Sequence, residues 1–184
     1  EIISGEKIGA VDYSESNTRW DDTSTVKSSI EKQKDGCILN GKKEYVLFGD
    51  SSDYFLVVAT FENSELLVLV NSDTEGVVCT PTTSLDQTRP LASVEFNNVE
   101  LGSDNIILTG EELNKSWKKM LLLTTSALSI EQVGGATACI EMSVQYAKDR
   151  IQFGRPIGSF QAVQHLCADM LLQLESAKST AYAA

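Results

Sequence analysis

The 184-residue chain sets 26 Asp and Glu against 15 Lys and Arg, a formal net charge of −11, and is 42% hydrophobic with a single histidine. That acid excess excludes phosphate-backbone and nucleic-acid binding as the main task, the apolar fraction excludes a disordered chain, and no apolar run reaches the ~20 residues of a membrane span. One histidine, His165, and four dispersed cysteines, Cys37, Cys79, Cys139 and Cys167, exclude a histidine-rich metal centre and make a Ser-His-Asp triad a poor expectation. With no C-x-x-C pair and no need of a disulfide framework, they fit a reducing, cytoplasmic compartment.

In chain order, short apolar or alternating runs come first. Residues 7–13, 25–31, 37–39, 42–48, 54–61, 66–70, 76–82 and 91–99 read as strands. Asn40-Gly41 between two of them is a type I′ hairpin signal. The runs at 50–53 and 71–73, and Asn97-Asn98, read as further turns. Close spacing of this kind favours an antiparallel β-barrel or sandwich over a βαβ sheet.

Near residue 109 the period changes. Thr109-Gly110-Glu111-Glu112 has the capping-box form, with Thr109 at N-cap and Glu112 at N3. No proline follows until Pro156, and apolar residues from Trp117 to Ile140 keep helical spacing on nearly every face. Such a helix is expected to be buried on several sides of a bundle. Gly134-Gly135 would cost it roughly 2 kcal/mol against two alanines, which predicts close approach of another helix, or else a kink. Gly154-Arg155-Pro156 is expected to end the helix and Ser159 to cap the next, whose stripe is Phe160, Val163, Cys167, Met170 and Leu174. The fold class is therefore α+β: a β domain over 1–109, then the opening helices of an incomplete bundle over 110–184. The abrupt start at Glu1 and the uncapped finish at Ala184 read as a fragment.

The densest chemical signal lies at 150–161. Arg150 presents a planar fork of donors that can pair with a pyrophosphate, or can make a turn-stabilising ion pair. Gln161 falls in the first turn of a helix, where free N–H groups favour an anion or a polar heterocycle.

The ordered run Arg150-Ile151-Gln152-Phe153-Gly154-Arg155-Pro156-Ile157, Phe160-Gln161-Ala162-Val163-Gln164 and Ala168-Asp169-Met170 resembles the signature of the flavin-dependent acyl-CoA dehydrogenases. Tyr13-Ser14-Glu15 with Arg19-Trp20-Asp21, then Leu39-Asn40-Gly41-Lys42-Lys43 and the run 46–53, resemble its branch containing the small subunits of pimeloyl-CoA-type dehydrogenases. The resemblance runs in order from about residue 4 to 175. It implies a middle β domain followed by the first helices of a C-terminal four-helix domain, and FAD as cofactor. It further implies α,β-dehydrogenation of an acyl-CoA substrate, homo- or hetero-oligomers that share the FAD site between subunits, and an electron-transfer flavoprotein as acceptor.

By the same resemblance, Ser14, Glu15 and Ser16, with Tyr45, Val46 and Leu47, hold the flavin ring. Arg150, Phe153 and Gln161 reach its pyrophosphate and adenosine. Several positions depart from the pattern: Ser16 replaces a proline, Leu47 a flavin-bonding threonine and Phe48 an asparagine, and Trp20 falls where a serine helps hold the acyl-CoA. The family's base is a glutamate, placed in most members beyond residue 184 and in a few on the first long helix, where the matching position here is about Thr124. No catalytic residue is assigned on this basis. A non-catalytic family subunit that stabilises an active partner is the alternative, and an unrelated β-barrel binding module with a helical arm a third reading.

Overall fold

A computed structural model describes residues 1–16, 25–33, 36–62 and 64–184. Arg19, Trp20 and Asp21 lie outside them. The chain divides into two units, Glu1–Lys118 and Lys119–Ala184.

The first unit is built on an eight-stranded sheet. Its strands are β1 (Gly9–Asp12), β2 (Ser29–Gln33), β3 (Gly36–Leu47), β4 (Tyr54–Phe61), β5 (Ser64–Asn71), β6 (Val77–Thr82), β7 (Leu91–Leu101) and β8 (Ile106–Thr109). The order is β6-β7-β3-β2-β4-β5-β8, with β1 alongside β4. Among the described residues the path is open, so the unit is sandwich-like and not a closed barrel. Most pairings are antiparallel, but β1 and β2 run parallel to β4, which alternation alone does not reveal. In β5, Leu66, Val68 and Val70 turn inward, as a half-buried strand requires. The consecutive Val57, Val58 and Ala59 of β4 are all fully buried. Phe55 and Phe96 meet edge to face at 6.3 Å in the core.

Two expected turns are strand interior. The predicted strands at 37–39 and 42–48 are one 12-residue strand, β3, and Asn40-Gly41 is no hairpin. Asn97-Asn98 likewise lies inside β7. Pairing steps from Leu39↔Val99 to Gly41↔Phe96, so β7 carries the extra residue of a β-bulge there. Asn98 takes φ 52; Asn40 donates to its side chain at 3.2 Å and accepts from its backbone N–H at 2.8 Å. Gly41 is needed because a Cβ there would stand 2.8 Å from the Cα of Ser28. A second bulge, on β3, lies between Lys43↔Val94 and Val46↔Ala92. The strand expected at 25–31 begins only at Ser29, because the N–H groups of Lys27 and Ser28 are taken by the Glu15 carboxylate.

The helix α1 (Gly110–Asp149) runs 40 residues from the first unit into the second. Thr109 is still the last residue of β8, and Gly110, at φ 52, turns the chain into the helix. Leu113 and Trp117 are buried in the first unit. In the second unit α1 packs on α2 (Gln161–Ala183) through Val133, Leu174 and Ala181, with Ile140 beside them. Leu122, Leu123, Met142 and Tyr146 are exposed, so the expected burial on several sides does not occur among the described residues. Gly134-Gly135 neither breaks the helix nor meets a neighbour, because nothing lies within 4 Å of a Cβ built at either.

The helix ends at Asp149, before the expected Gly154-Arg155-Pro156 stop. Those residues form a small hairpin, β9 (Ile151–Gln152) with β10 (Arg155–Pro156). Phe153 and Gly154 at its tip have φ 53 and 77, both left-handed as a type I′ turn demands. Ser159 does not cap α2. Its hydroxyl donates to the Pro156 carbonyl at 2.7 Å, and Phe160 is the N-cap residue.

Candidate functional site

In the first unit the site residues converge on the β3 bulge. The chain leaving β1 runs beside it: the Glu44 N–H donates to the Ser14 carbonyl at 2.7 Å and the Ser16 hydroxyl to the Glu44 carboxylate at 3.0 Å. Tyr45 follows at φ 60, its side chain 64% exposed. Val46 turns inward and is buried. Leu47 and Phe48 are exposed, the latter at φ 57. Tyr45, Leu47 and Phe48 thus form an exposed apolar run of β3 and the residue after it, immediately following Glu44, which bonds segment 14–16. Tyr13 turns the other way and stacks on Trp117, ring centroids 4.6 Å apart.

Glu15 is engaged inside the protein. Its carboxylate accepts from the Lys43 ammonium at 2.6 Å, the Ser28 hydroxyl at 2.6 Å, and the backbone N–H groups of Ser28 and Lys27 at 2.9 and 2.7 Å. Lys43 also donates to the Val58 carbonyl at 2.6 Å and is fully buried. Burial alone would push the Glu15 carboxyl up; the bonds from Lys43 and Ser28 outweigh it and hold it below its usual range. Burial lowers the Lys43 ammonium despite Glu15. Donors surround Glu15 on every bond named, which fixes it as the carboxylate and Lys43 as its cation. The pair pins segment 14–16 to β3, so Glu15 holds the loop and offers a ligand only its backbone.

Beside this pair lies Asp12, fully buried, with neither carboxylate oxygen hydrogen-bonded among the described residues. Burial, partly offset by Lys43, pushes its carboxyl up to about 7. The sequence reading missed both Lys43 and Asp12. The signal was present in the alternation: Asp12 follows Ala10 on the inward face of β1, and Lys43 faces inward between two bulges.

In the second unit Arg150, Phe153 and Gln161 gather around the β9–β10 hairpin. Arg150 follows α1, is exposed, and has no ion pair among the described residues; its carbonyl accepts from the Ile157 N–H at 2.8 Å. Phe153 at the tip is 91% exposed and meets Phe160 edge-on at 6.1 Å. The Arg155 guanidinium covers the Phe160 ring at 4.0 Å, and Gln161 opens α2 on the exposed side. Thr124, Glu131 and Glu141 are exposed on α1. No group of three or more metal-ligating side chains occurs among the described residues, and no helix there is long and apolar enough to cross a membrane.

A family model for the acyl-CoA dehydrogenase C-terminal domain matches residues 118–184. An acyl-CoA dehydrogenase of Mycolicibacterium smegmatis, IpdE2, is 36% identical over 76% of this chain and 38% of its own length. The 2-methylacyl-CoA dehydrogenase of Solanum tuberosum is 30% identical over 100% of this chain and 46% of its own. The chain belongs to the acyl-CoA dehydrogenase family. Butyryl-CoA dehydrogenase from Megasphaera elsdenii superposes with a TM-score of 0.86 at 26% identity, covering 98% of this chain and 49% of that one. A glutaryl-CoA dehydrogenase of Mycobacterium smegmatis, solved in complex with FADH2, shares the fold with a TM-score of 0.89 at 21% identity, covering 97% of this chain and 46% of that one. This acyl-CoA dehydrogenase chain therefore spans under half the length of the curated relatives it matches.

Proposed function

We propose that this chain is the central part of an FAD-dependent acyl-CoA dehydrogenase that converts an acyl-CoA thioester to the 2-enoyl-CoA, as in β-oxidation. The observation that carries the reading is the exposed apolar run of Tyr45, Leu47 and Phe48, which directly follows the Glu44 that bonds the backbone of segment 14–16. A flat tricyclic ring with polar edges needs that combination: apolar area on one face and main-chain polar groups at the rim. Bound FAD would accept the β-hydrogen as hydride while a carboxylate base removes the α-proton. Tyr45, Val46 and Leu47 with Ser14, Glu15 and Ser16 would hold the ring, Glu15 through its backbone because its carboxylate is taken by Lys43 and Ser28. Arg150, Phe153 and Gln161 would hold pyrophosphate and adenosine. Arg150 suits this because it is exposed and carries no internal ion pair among the described residues.

In this reading residues 1–109 form the middle β domain and 110–184 the start of the C-terminal helical domain. The exposed Leu122, Leu123 and Phe153 favour a homo- or hetero-oligomer that shares the cofactor site. Electrons would leave to an electron-transfer flavoprotein. The four unpaired cysteines are in keeping with a cytoplasmic setting.

A second reading, a non-catalytic subunit supporting an active partner, is favoured by one observation: Leu47 at the flavin edge has no side-chain donor. The flavin absorbance spectrum of the full-length gene product tests both. Bound FAD bleached anaerobically by a medium-chain acyl-CoA is the expected result. A colourless protein that co-purifies with a flavin-bearing relative would overturn it in favour of the second reading.

A further inference from the structure

Asp12 has no part in the chemistry above, yet it is the least compensated charge in the described structure. It ends β1 with its side chain fully buried and both carboxylate oxygens unpartnered among the described residues. The titratable groups facing it are few. From β3 comes Lys43, which Glu15 of the segment after β1 also engages, and from β6 comes Cys79, whose thiol burial, Asp50 and Asp12 push up. β4, paired along all of β1, puts Val57 opposite Asp12, and its one titratable residue, Tyr54, opposite Gly9. Among the described residues the cluster holds one cation for two carboxylates. Glu15 and the Val58 carbonyl already occupy that cation at 2.6 Å each. Ionising Asp12 would leave an excess negative charge in the core with no bond to hold it, whereas a protonated Asp12 is neutral and smaller in hydration demand.

We propose that Asp12 is a proton-binding site that couples the seating of β1, and of the segment 14–16 it leads into, to pH. Protonated, the side chain stays in the core and β1 stays on β4; ionised, it drives β1 to loosen so that the carboxylate reaches water. β1 is only four residues long, and its pairing with β4 and the Glu15–Lys43 bond are what ionised Asp12 works against. The proton site itself stands on the buried cluster. Its effect on a ligand rests on the flavin reading of segment 14–16.

The sign follows from linkage. Unfolded, the carboxyl ionises near 3.8; folded, near 7. The stability it contributes is complete below the lower value and is lost as pH rises through the upper one. Across that window the unfolding constant should rise about tenfold per pH unit through this residue alone.

Urea unfolding and flavin retention of the full-length protein, measured from pH 5 to 8, test the proposal with wild type, Asp12→Asn and Asp12→Ala. Up to about pH 7 the wild type is expected to gain that tenfold-per-unit slope over both variants, to run parallel to them above it, and to release flavin more readily above neutrality. Parallel slopes in all three proteins over the whole range would overturn the proposal. Should the variants not fold, carbon-13 NMR of aspartate-labelled wild type decides. An inward carboxyl titrating near neutrality supports the site, and all aspartates titrating in the ordinary range overturn it. A protein that binds no flavin at any pH but keeps the Asp12-dependent slope supports the proton site and overturns the cofactor reading instead.

Discussion

The Glu15–Lys43 pair decides whether the first unit has a site at all, since both side chains are withdrawn from solvent and their bonds tie the loop after β1 to β3 and to residues 27–28, and β3 to β4. Removing one partner of a buried pair strands the other charge. Lys43→Met should therefore lower unfolding free energy by about 3 to 5 kcal/mol. The double change with Glu15→Gln should be less damaging than the two singles summed, a coupling that urea unfolding of all three variants measures. Glu15 also sets an acid limit. Its folded carboxyl lies below the unfolded one, so its contribution is present above about 4.5 and is lost as pH falls through the lower folded value. Thermal melts from pH 3 to 5 should flatten in Glu15→Gln. In the second unit, Arg150→Ala should release flavin with an unchanged melt, because the guanidinium makes no internal ion pair among the described residues; unchanged flavin occupancy would remove Arg150 from the cofactor site.

At the scale of elements, the strands themselves were readable, and the bulged step between β3 and β7 at Asn40-Gly41 and Asn97-Asn98 was read as two turns. The predicted run 54–61 coincides with β4, and 66–70 falls inside β5. In β7 the inward set Ala92, Val94, Phe96 changes phase to Val99, Leu101 across Asn97-Asn98. A phase slip beside turn-forming residues is equally the mark of a turn or of a bulge, and only the partner strand separates them. Asn40 supplies the decision by bonding Asn98. The proposed flavin positions were reached through ordered motifs, whereas Asp12 and Lys43 were passed over although both lie in predicted strands, 7–13 and 42–48, because alternation alone does not single out a charged residue on the inward face. Gly41→Ala should destabilise through its collision with Ser28, while Gly134→Ala, in open helical backbone, should raise the melting point, by roughly 1 kcal/mol of stability. Paired melts of the two variants check the contrast.

For the molecule as a whole, the change from period 2 to period 3.6 near residue 109 was visible in the sequence, and β8 gives way to α1 there. What covers the helices was not visible, because periodicity records which residues are apolar and not what packs on them. With Leu122, Leu123, Leu166, Leu172 and Tyr182 all more than 60% exposed, the 184-residue chain taken alone should self-associate as its concentration rises. Light scattering over a dilution series checks this, and a constant monomer mass would count against it.

Tyr45, Phe48 and Phe153 hold left-handed backbone conformations that glycine would adopt freely. Each aromatic residue there costs about 1 kcal/mol. A population of variants selected for heat resistance alone should drift toward glycine at these three positions, and one selected for bound cofactor should keep the rings. The divergence between the two pools would map, position by position, where this chain gives up robustness for the sake of what it holds.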